Sequence, residues 1–370
     1  MNQRLISLDV FRGMTVFFMI IVNSSGNWTT TFAPLLHAQW HGFTPTDLVF
    51  PAFLFAVGAS IAIVMVRWKK EKTTAEVYRK VLRRTFVIFA IGFLLYWFPF
   101  VDLQPEGGIA PRPLGQTRIM GVLQRIALSY GISALLLYHL PLRKAIYLTV
   151  ALLLGYWLVL LGFGDLTMEG NAAHRLDLFL LGPNHLYQGE GVPFEPEGLF
   201  STLPCVGNVV AGYATVFYLR RAKAPLRVLV RLLLWGAGLV ALGCIWHYAF
   251  PINKKLWTSS YVLLTSGICI LWLGALYYWL DHEKSEARWP AWFTPMGKNP
   301  LFIYILSAVG TTLLYWVPHA AHGNLYSAIY QTVFRPAGDY TGAFFFALTW
   351  TMICWAVALW MDRQRIYIRV

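Results

Sequence analysis

Charge is what this 370-residue chain has least of. Only 13% of its residues are charged, roughly half the share expected of a soluble globular protein. With 57% hydrophobic residues and a mean hydropathy of +0.54, that deficit excludes an ordinary soluble domain. Sixteen Trp, 19 Tyr and 25 Phe exclude disorder, and Gly and Pro follow no repeat of a fibrous chain. Cysteine is also sparse. Cys205, Cys244, Cys269 and Cys354 lie in apolar stretches without CxxC or Cys/His ligand spacing. They read as small buried hydrophobes, and no metal site is expected. GxSxG, HExxH, P-loop and GxGxxG patterns are absent, as are internal repeats, a soluble domain and a low-complexity tail.

What is present is a series of apolar runs about twenty residues long, the length of a membrane-crossing helix. A membrane β-barrel would need alternating segments of about ten. The reading is an all-α polytopic membrane protein of about ten transmembrane helices, near 8–24, 47–67, 85–101, 119–139, 145–163, 198–219, 228–250, 258–280, 297–317 and 341–361. Trp68, Trp97, Trp257, Trp279, Trp316 and Trp360 fall near segment ends, as an interfacial belt requires. The opening MNQRLISLDVFRG enters its apolar run without an Ala-x-Ala cleavage pattern, which favours a retained first helix.

Basic residues orient the chain. With the N-terminus in the cytoplasm, twenty-one Lys/Arg fall on inward segments, including Arg4, Lys223 and Arg369, and six on outward loops. Both termini are therefore expected to be cytoplasmic. Acids reverse the asymmetry: ten, Glu106 among them, lie outside and six, Glu286 among them, inside. The net charge of +13 is then a topology signal with some affinity for anionic lipid, not a nucleic-acid footprint.

Ionisable and amide side chains within a membrane each require a reason. Asp9 and Arg12, three apart, share a helix face and can pair. Asn23, eleven residues after Arg12, returns to that face after about three turns. The outward loop Ser25–Thr46 has no Lys or Arg but holds His37 and His41. His37 is ten residues before Asp47, and Leu35, Leu36, Trp40 and Phe43 make its surroundings too apolar for free exposure. An imidazole packed there has the usual property of a general base. Thr44 or Thr46 is placed to cap the second helix. Pro295-Met296-Gly297-Lys298-Asn299-Pro300 reads as a cytoplasmic helix start, where N–H groups and a Lys form an anion site; a snorkelling Lys at an ordinary helix start is the plainer alternative. Arg125, near the outer end of the fourth helix, should face the bundle with Asp47 as partner.

Several stretches together carry a resemblance: SLDVFRGMTVFFMIIVN, HAQWHGFTPTDLVFPAFLFAVGASI, IMGVLQRIALSY and GKNPLFIYILS. In order and across essentially the whole chain, they resemble the heparan-α-glucosaminide N-acetyltransferase family and its bacterial relatives. His-x-x-Trp-x-Gly-x-Thr-x-x-Asp-Leu-Val-Phe-Pro is the most specific of them. The Asp-x-x-Arg-Gly opening is also similar to the wider acyltransferase-3 enzymes, which place a His where this chain has Asn23.

The resemblance implies one transmembrane acyltransferase domain over 1–370, moving acetyl from cytoplasmic acetyl-CoA to a glucosamine amine across the membrane. It places the catalytic His on His37 and its active-site Asn on Asn23. Asp47, ten residues after His37, is expected either to orient the imidazole or to bind the sugar. Arg12, Lys298 and Asn299 are the expected acetyl-CoA contacts, and Arg125 and Trp40 the expected acceptor contacts. The lysosomal enzymes carry a luminal domain before the first helix, whereas this chain starts at that helix. Free glucosamine or a short amino-sugar oligomer, at a bacterial inner membrane, is thus the expected acceptor. The expected partners are acetyl-CoA, the amino sugar, membrane lipids and a second copy of the chain. The acidic loop Gly164–Glu197 is placed to shape acceptor choice. The competing expectation is an amino-sugar transporter, although no pair of related halves with matching broken helices is visible.

Overall fold

A computed structural model describes residues 5–103, 108–221, 224–284 and 287–368. Arg4, Glu106, Lys223, Glu286 and Arg369, used above in the charge asymmetry, lie outside the described residues. The long helices are α1 (Ile6–Asn23), α2 (Val49–Glu71), α3 (Thr74–Trp97), α4 (Val122–His139) and α5 (Leu142–Gly162). A short α6 (Ala172–Leu181) precedes α7 (Cys205–Arg221), α8 (Pro225–Trp246) and α9 (Ser259–Tyr277). The chain ends with α10 (Pro290–Lys298), α11 (Pro300–Trp316), the single turn α12 (Leu325–Ile329) and α13 (Asp339–Arg363). Two small antiparallel hairpins, β1–β2 (Val101–Leu103 with Ile109–Pro111) and β3–β4 (Pro318–His319 with Gly323–Asn324), are the described sheet.

Seven helices among the described residues are long and apolar enough to cross a membrane, or eight if α10 and α11, bent by 82°, form one span. All ten segments read from the sequence are helical. Lys80, Arg83 and Arg84 hold α3 outside the seven, and Gln124, Arg125 and His139 dilute α4. The chain is a multi-pass membrane protein whose inner bundle is α1, α2, α7 and α9. The apolar windows of α7 and α9 are 72% buried, against 28% for α5 and 22% for α8, which lie at the periphery.

Glycines set the closest approaches. A Cβ on Gly58 of α2 would stand 1.8 Å from the Val209 carbonyl oxygen of α7, and one on Gly212 would stand 1.9 Å from that of Phe55. Gly13 of α1 and Gly297 of α10 make the same reciprocal contact, at 1.9 and 2.0 Å from the Phe293 and Asp9 carbonyls. The start of α1 is capped from elsewhere in the chain: Ile6 and Ser7 donate their N–H groups to the Asp281 carboxylate at 2.9 and 3.0 Å. That satisfies two of the donors a helix start leaves open.

The loops expected to face outward gather at one end. Trp40 Nε1 donates to the Leu166 carbonyl at 2.8 Å, Arg118 pairs with Glu195 and Glu197, and Lys255 pairs with Glu190 at 2.6 Å. The opposite end is tied by Asp281 to α1 and by Lys298 to Asp362.

Candidate active site

The segment before α2 is built around one carboxylate. Pro45–Leu48 forms a 3-10 turn that runs straight into α2, with Thr44 as its N-cap. Asp47, fully buried, accepts the Thr44 N–H at 2.9 Å, the Thr44 hydroxyl at 3.1 Å and the Ala38 N–H at 3.2 Å. Thr44 Oγ1 also lies 2.7 Å from the Leu36 carbonyl, and Thr46 Oγ1 donates to that of Pro34 at 3.0 Å. The irregular backbone of 34–47 is therefore stitched to its own polar side chains.

The remaining oxygen of Asp47 lies 2.7 Å from His37 Nδ1. A carboxylate there fixes the tautomer: Nδ1 carries the proton and donates it, and Nε2 keeps a lone pair. Burial lowers the pKa of His37 from its ordinary value; the Asp47 contact opposes that and the nearby Lys254 adds to it. The imidazole is thus neutral and basic at neutral pH.

His37 opens on a cavity of about 470 Å³, also lined by Asn23, Arg118, Glu197, Lys254 and Tyr304. Asn23 donates one Nδ2–H to the Met19 carbonyl at 2.8 Å, which turns the amide back along α1. Arg118 bridges two carboxylates, at 2.5 Å to Glu195 and 2.7 Å to Glu197. Its charge holds Glu197 below the usual carboxylate range, while burial raises Glu195. Asp177, beneath this network, is pushed by burial up to about 7.

Toward the other end lies a narrow second cavity of about 70 Å³, lined by Arg12, Ser60, Arg84, Leu123, Tyr130 and Leu301. Arg12 stands 4.0 Å from Asp9, the pairing that their spacing suggests. Arg84 lies over the Tyr130 ring at 4.7 Å, and its buried Nε has no hydrogen-bond partner among the described residues. Both cavities are walled by α1, α2, α4 and α11. Phe50 and Phe53, Val122 and Leu123, and Leu301 and Tyr304 mark the change from one to the other.

Three expected placements come out differently. Arg125 is not paired with Asp47: its Nη2 donates to Ser201 Oγ and the Gly198 carbonyl, and its guanidinium lies 4.9 Å over Trp257. Depth in the membrane matched the two residues, but Arg125 faces the 198–202 turn. Trp40 packs edge-on against Phe194 at 5.7 Å, and neither it nor Arg125 is among the residues lining the His37 cavity. Lys298 ends α10 and does not begin a helix; its Nζ sits 2.5 and 2.7 Å from the Asp362 oxygens. Asn299 clasps the C-terminal segment, donating to the Ile366 carbonyl at 2.8 Å and accepting the Ile368 N–H at 2.9 Å.

Sequence reading missed Lys254, Arg118 and Glu197 as neighbours of His37. Lys254 and Lys255 did carry a signal, being adjacent cations in an outward face nearly empty of basic residues. Arg84 was counted only among inner charges, although it is the last of its run before the apolar part of α3.

Fold and cavity together define a multi-pass helical membrane protein in which a histidine, held by a buried carboxylate, opens on a cavity at one end. Within that class, the family described as heparan-alpha-glucosaminide N-acetyltransferase, catalytic, matches residues 4–243, and the chain belongs to it. Curated relatives include heparan-alpha-glucosaminide N-acetyltransferase of Homo sapiens, 29% identical over 361 residues, covering 82% of this chain and 52% of the relative. The Mus musculus protein of the same name is 29% identical over 362 residues, covering 82% and 53%. The chain spans about half the length of these relatives.

Proposed function

We propose that the protein is an integral-membrane N-acetyltransferase that moves acetyl from cytoplasmic acetyl-CoA to the amine of glucosamine, or of a glucosamine-terminated sugar, on the opposite side of a bacterial inner membrane. In this reading the chain is one domain crossing ten times, with both termini cytoplasmic. The reading rests above all on His37, held 2.7 Å from the buried Asp47 and facing the cavity that Asn23 also lines. Family membership supports the reaction type.

The acceptor ammonium enters from the outer end and gives a proton to His37 Nε2. The freed amine attacks the thioester carbon, forming the C–N bond as the C–S bond breaks; the proton held on His37 passes to the CoA sulfur, and the second nitrogen proton leaves to solvent through the outer cavity. A base so placed contributes about a hundredfold to ten-thousandfold. Asn23, through its second Nδ2–H, stabilises the oxyanion, where one donor is worth roughly 3 kcal/mol. The same Nε2 serves as acetyl carrier if transfer runs in two steps, which burst kinetics with acetyl-CoA alone would reveal.

The inner cavity, narrow and lined largely by apolar side chains, suits the thin pantetheine arm and not the nucleotide. The phosphates then remain at the inner mouth with Arg12, with Arg84 behind it. Lys298 and Asn299 border that mouth, because Gly297 packs on the Asp9–Gly13 backbone of α1. On the outer side, Arg118 is saturated by two carboxylates, and Glu197 is the acid that meets the acceptor ammonium.

The test uses purified protein in detergent with labelled acetyl-CoA and glucosamine. Labelled N-acetylglucosamine is expected from the wild type, and its loss by a hundredfold or more from His37→Ala with acetyl-CoA binding retained. A transporter would give no product and would need a sealed membrane to show activity. Unchanged turnover in His37→Ala would remove the imidazole from the mechanism.

A further inference from the structure

One nucleophile stands against the imidazole without a part in the transfer just described. Lys254 Nζ lies 2.9 Å from His37 Nε2 and 3.2 Å from Nδ1. Since Nδ1 is committed to Asp47, the lysine nitrogen, within reach of both ring nitrogens, lies over the ring beside Nε2, the nitrogen that keeps its lone pair. On the acetyltransferase reading, that is where the primary amine of the acceptor has to stand.

This placement comes from a built loop and not from a wandering surface side chain. The Ile252 carbonyl accepts the Gly42 N–H at 2.8 Å, and the Ile252 N–H meets His247 Nδ1 at 2.9 Å. Asn253, fully buried, donates its N–H to Thr258 Oγ1 at 3.0 Å and accepts the Leu256 N–H at 2.8 Å. Trp257, also fully buried, is held through Nε1 by Asn208 Oδ1 at 3.0 Å, and its N–H donates to the Lys254 carbonyl at 3.1 Å. The backbone on either side of Lys254 is thereby fixed to α7, α8 and the His41–Gly42 segment. Burial lowers the pKa of Lys254 against the opposing pull of Glu197 and Asp47, so more of the amine is neutral than on an exposed lysine.

We propose that Lys254 is an internal acceptor: when acetyl-CoA is bound and no sugar amine fills the outer cavity, the acetyl group is transferred to Lys254 Nζ. The inference rests on the acetyltransferase reading and adds a modification site to it. The lysine ammonium first releases a proton to solvent through the outer cavity. Neutral Nζ attacks the thioester carbon, forming the amide C–N bond as the C–S bond breaks. The second nitrogen proton passes to His37 Nε2 and from there to the CoA thiolate. The product is an uncharged amide lodged beside the imidazole, so self-acetylation blocks the acceptor position. Sugar and lysine compete for one place.

The test incubates the full-length wild-type protein in detergent with labelled acetyl-CoA alone and maps the label by peptide mass spectrometry. The expected result is one acetyl group on Lys254, lost in His37→Ala and suppressed at least tenfold by saturating glucosamine. Glucosamine protection keeps the test decisive if the variant misfolds. An unmodified Lys254 in a preparation that acetylates glucosamine overturns the inference and leaves the enzymatic reading standing. Label on Lys254 at an equal rate with saturating glucosamine overturns it as well, because transfer would then be ordinary chemical acetylation. A preparation that acetylates neither the sugar nor Lys254 overturns both.

Discussion

Asp47 has three tasks at one position: it orients His37, closes the loop onto Ala38 and Thr44, and starts the turn into α2. Asp47→Ala is therefore expected to cost about 3 kcal/mol of stability, because it leaves several buried donors unpaired at roughly 1–3 kcal/mol each, and also to lower kcat. Thermal melting and turnover on one preparation check this; a variant with wild-type melting would mean the loop stands without its carboxylate. The pH profile follows from the direction of the His37 shift. A base works when deprotonated, so kcat/KM should rise with pH through the His37 pKa, and that limb should lie below the ordinary imidazole value near 6.5. Burial, Asp47, Lys254 and Glu197 set its position. Lys254 lowers it, so Lys254→Met should move the limb to higher pH, and a limb moving lower would contradict the assignment. His37 and Asp47 were legible in the sequence because ten residues of apolar loop tie them together. Lys254 was not, since it reaches the ring from 217 positions away. The Arg125 partner was misjudged because depth along a helix says nothing about which way a side chain faces.

Among the elements, the long apolar runs were readable because nothing else accommodates twenty apolar residues. The bend between α10 and α11 was not, although Pro295 and Pro300 stand on either side of it. A run of apolar residues looks the same whether it crosses straight or turns by 82°. That turn changes the meaning of Lys298, which ends one helix and pairs with Asp362 when it was expected to open another. Two variants separate its roles. Lys298→Met should lower the melting temperature by releasing the clasped C-terminal segment while leaving KM for acetyl-CoA nearly unchanged. Arg84→Ala should raise that KM by about tenfold, equivalent to ~1.4 kcal/mol. The opposite pattern would place the phosphates on Lys298.

For the whole molecule, the two cavities stand end to end along α1, α2, α4 and α11, with Arg12 and Arg84 at one end and the imidazole, Asn23 and a mixed set of acids and cations at the other. The charge asymmetry in the sequence anticipated two chemically different faces, but not that four helices would line both cavities. A donor held from one compartment and an acceptor from the other is the central claim. It is tested most directly in sealed proteoliposomes of fixed orientation, with labelled acetyl-CoA confined to the side of the Lys298–Asp362 pair and glucosamine to the side of His37. N-acetylglucosamine appearing only on the His37 side, and absent with His37→Ala, is the predicted result. Product formed only when both substrates share one compartment would contradict it.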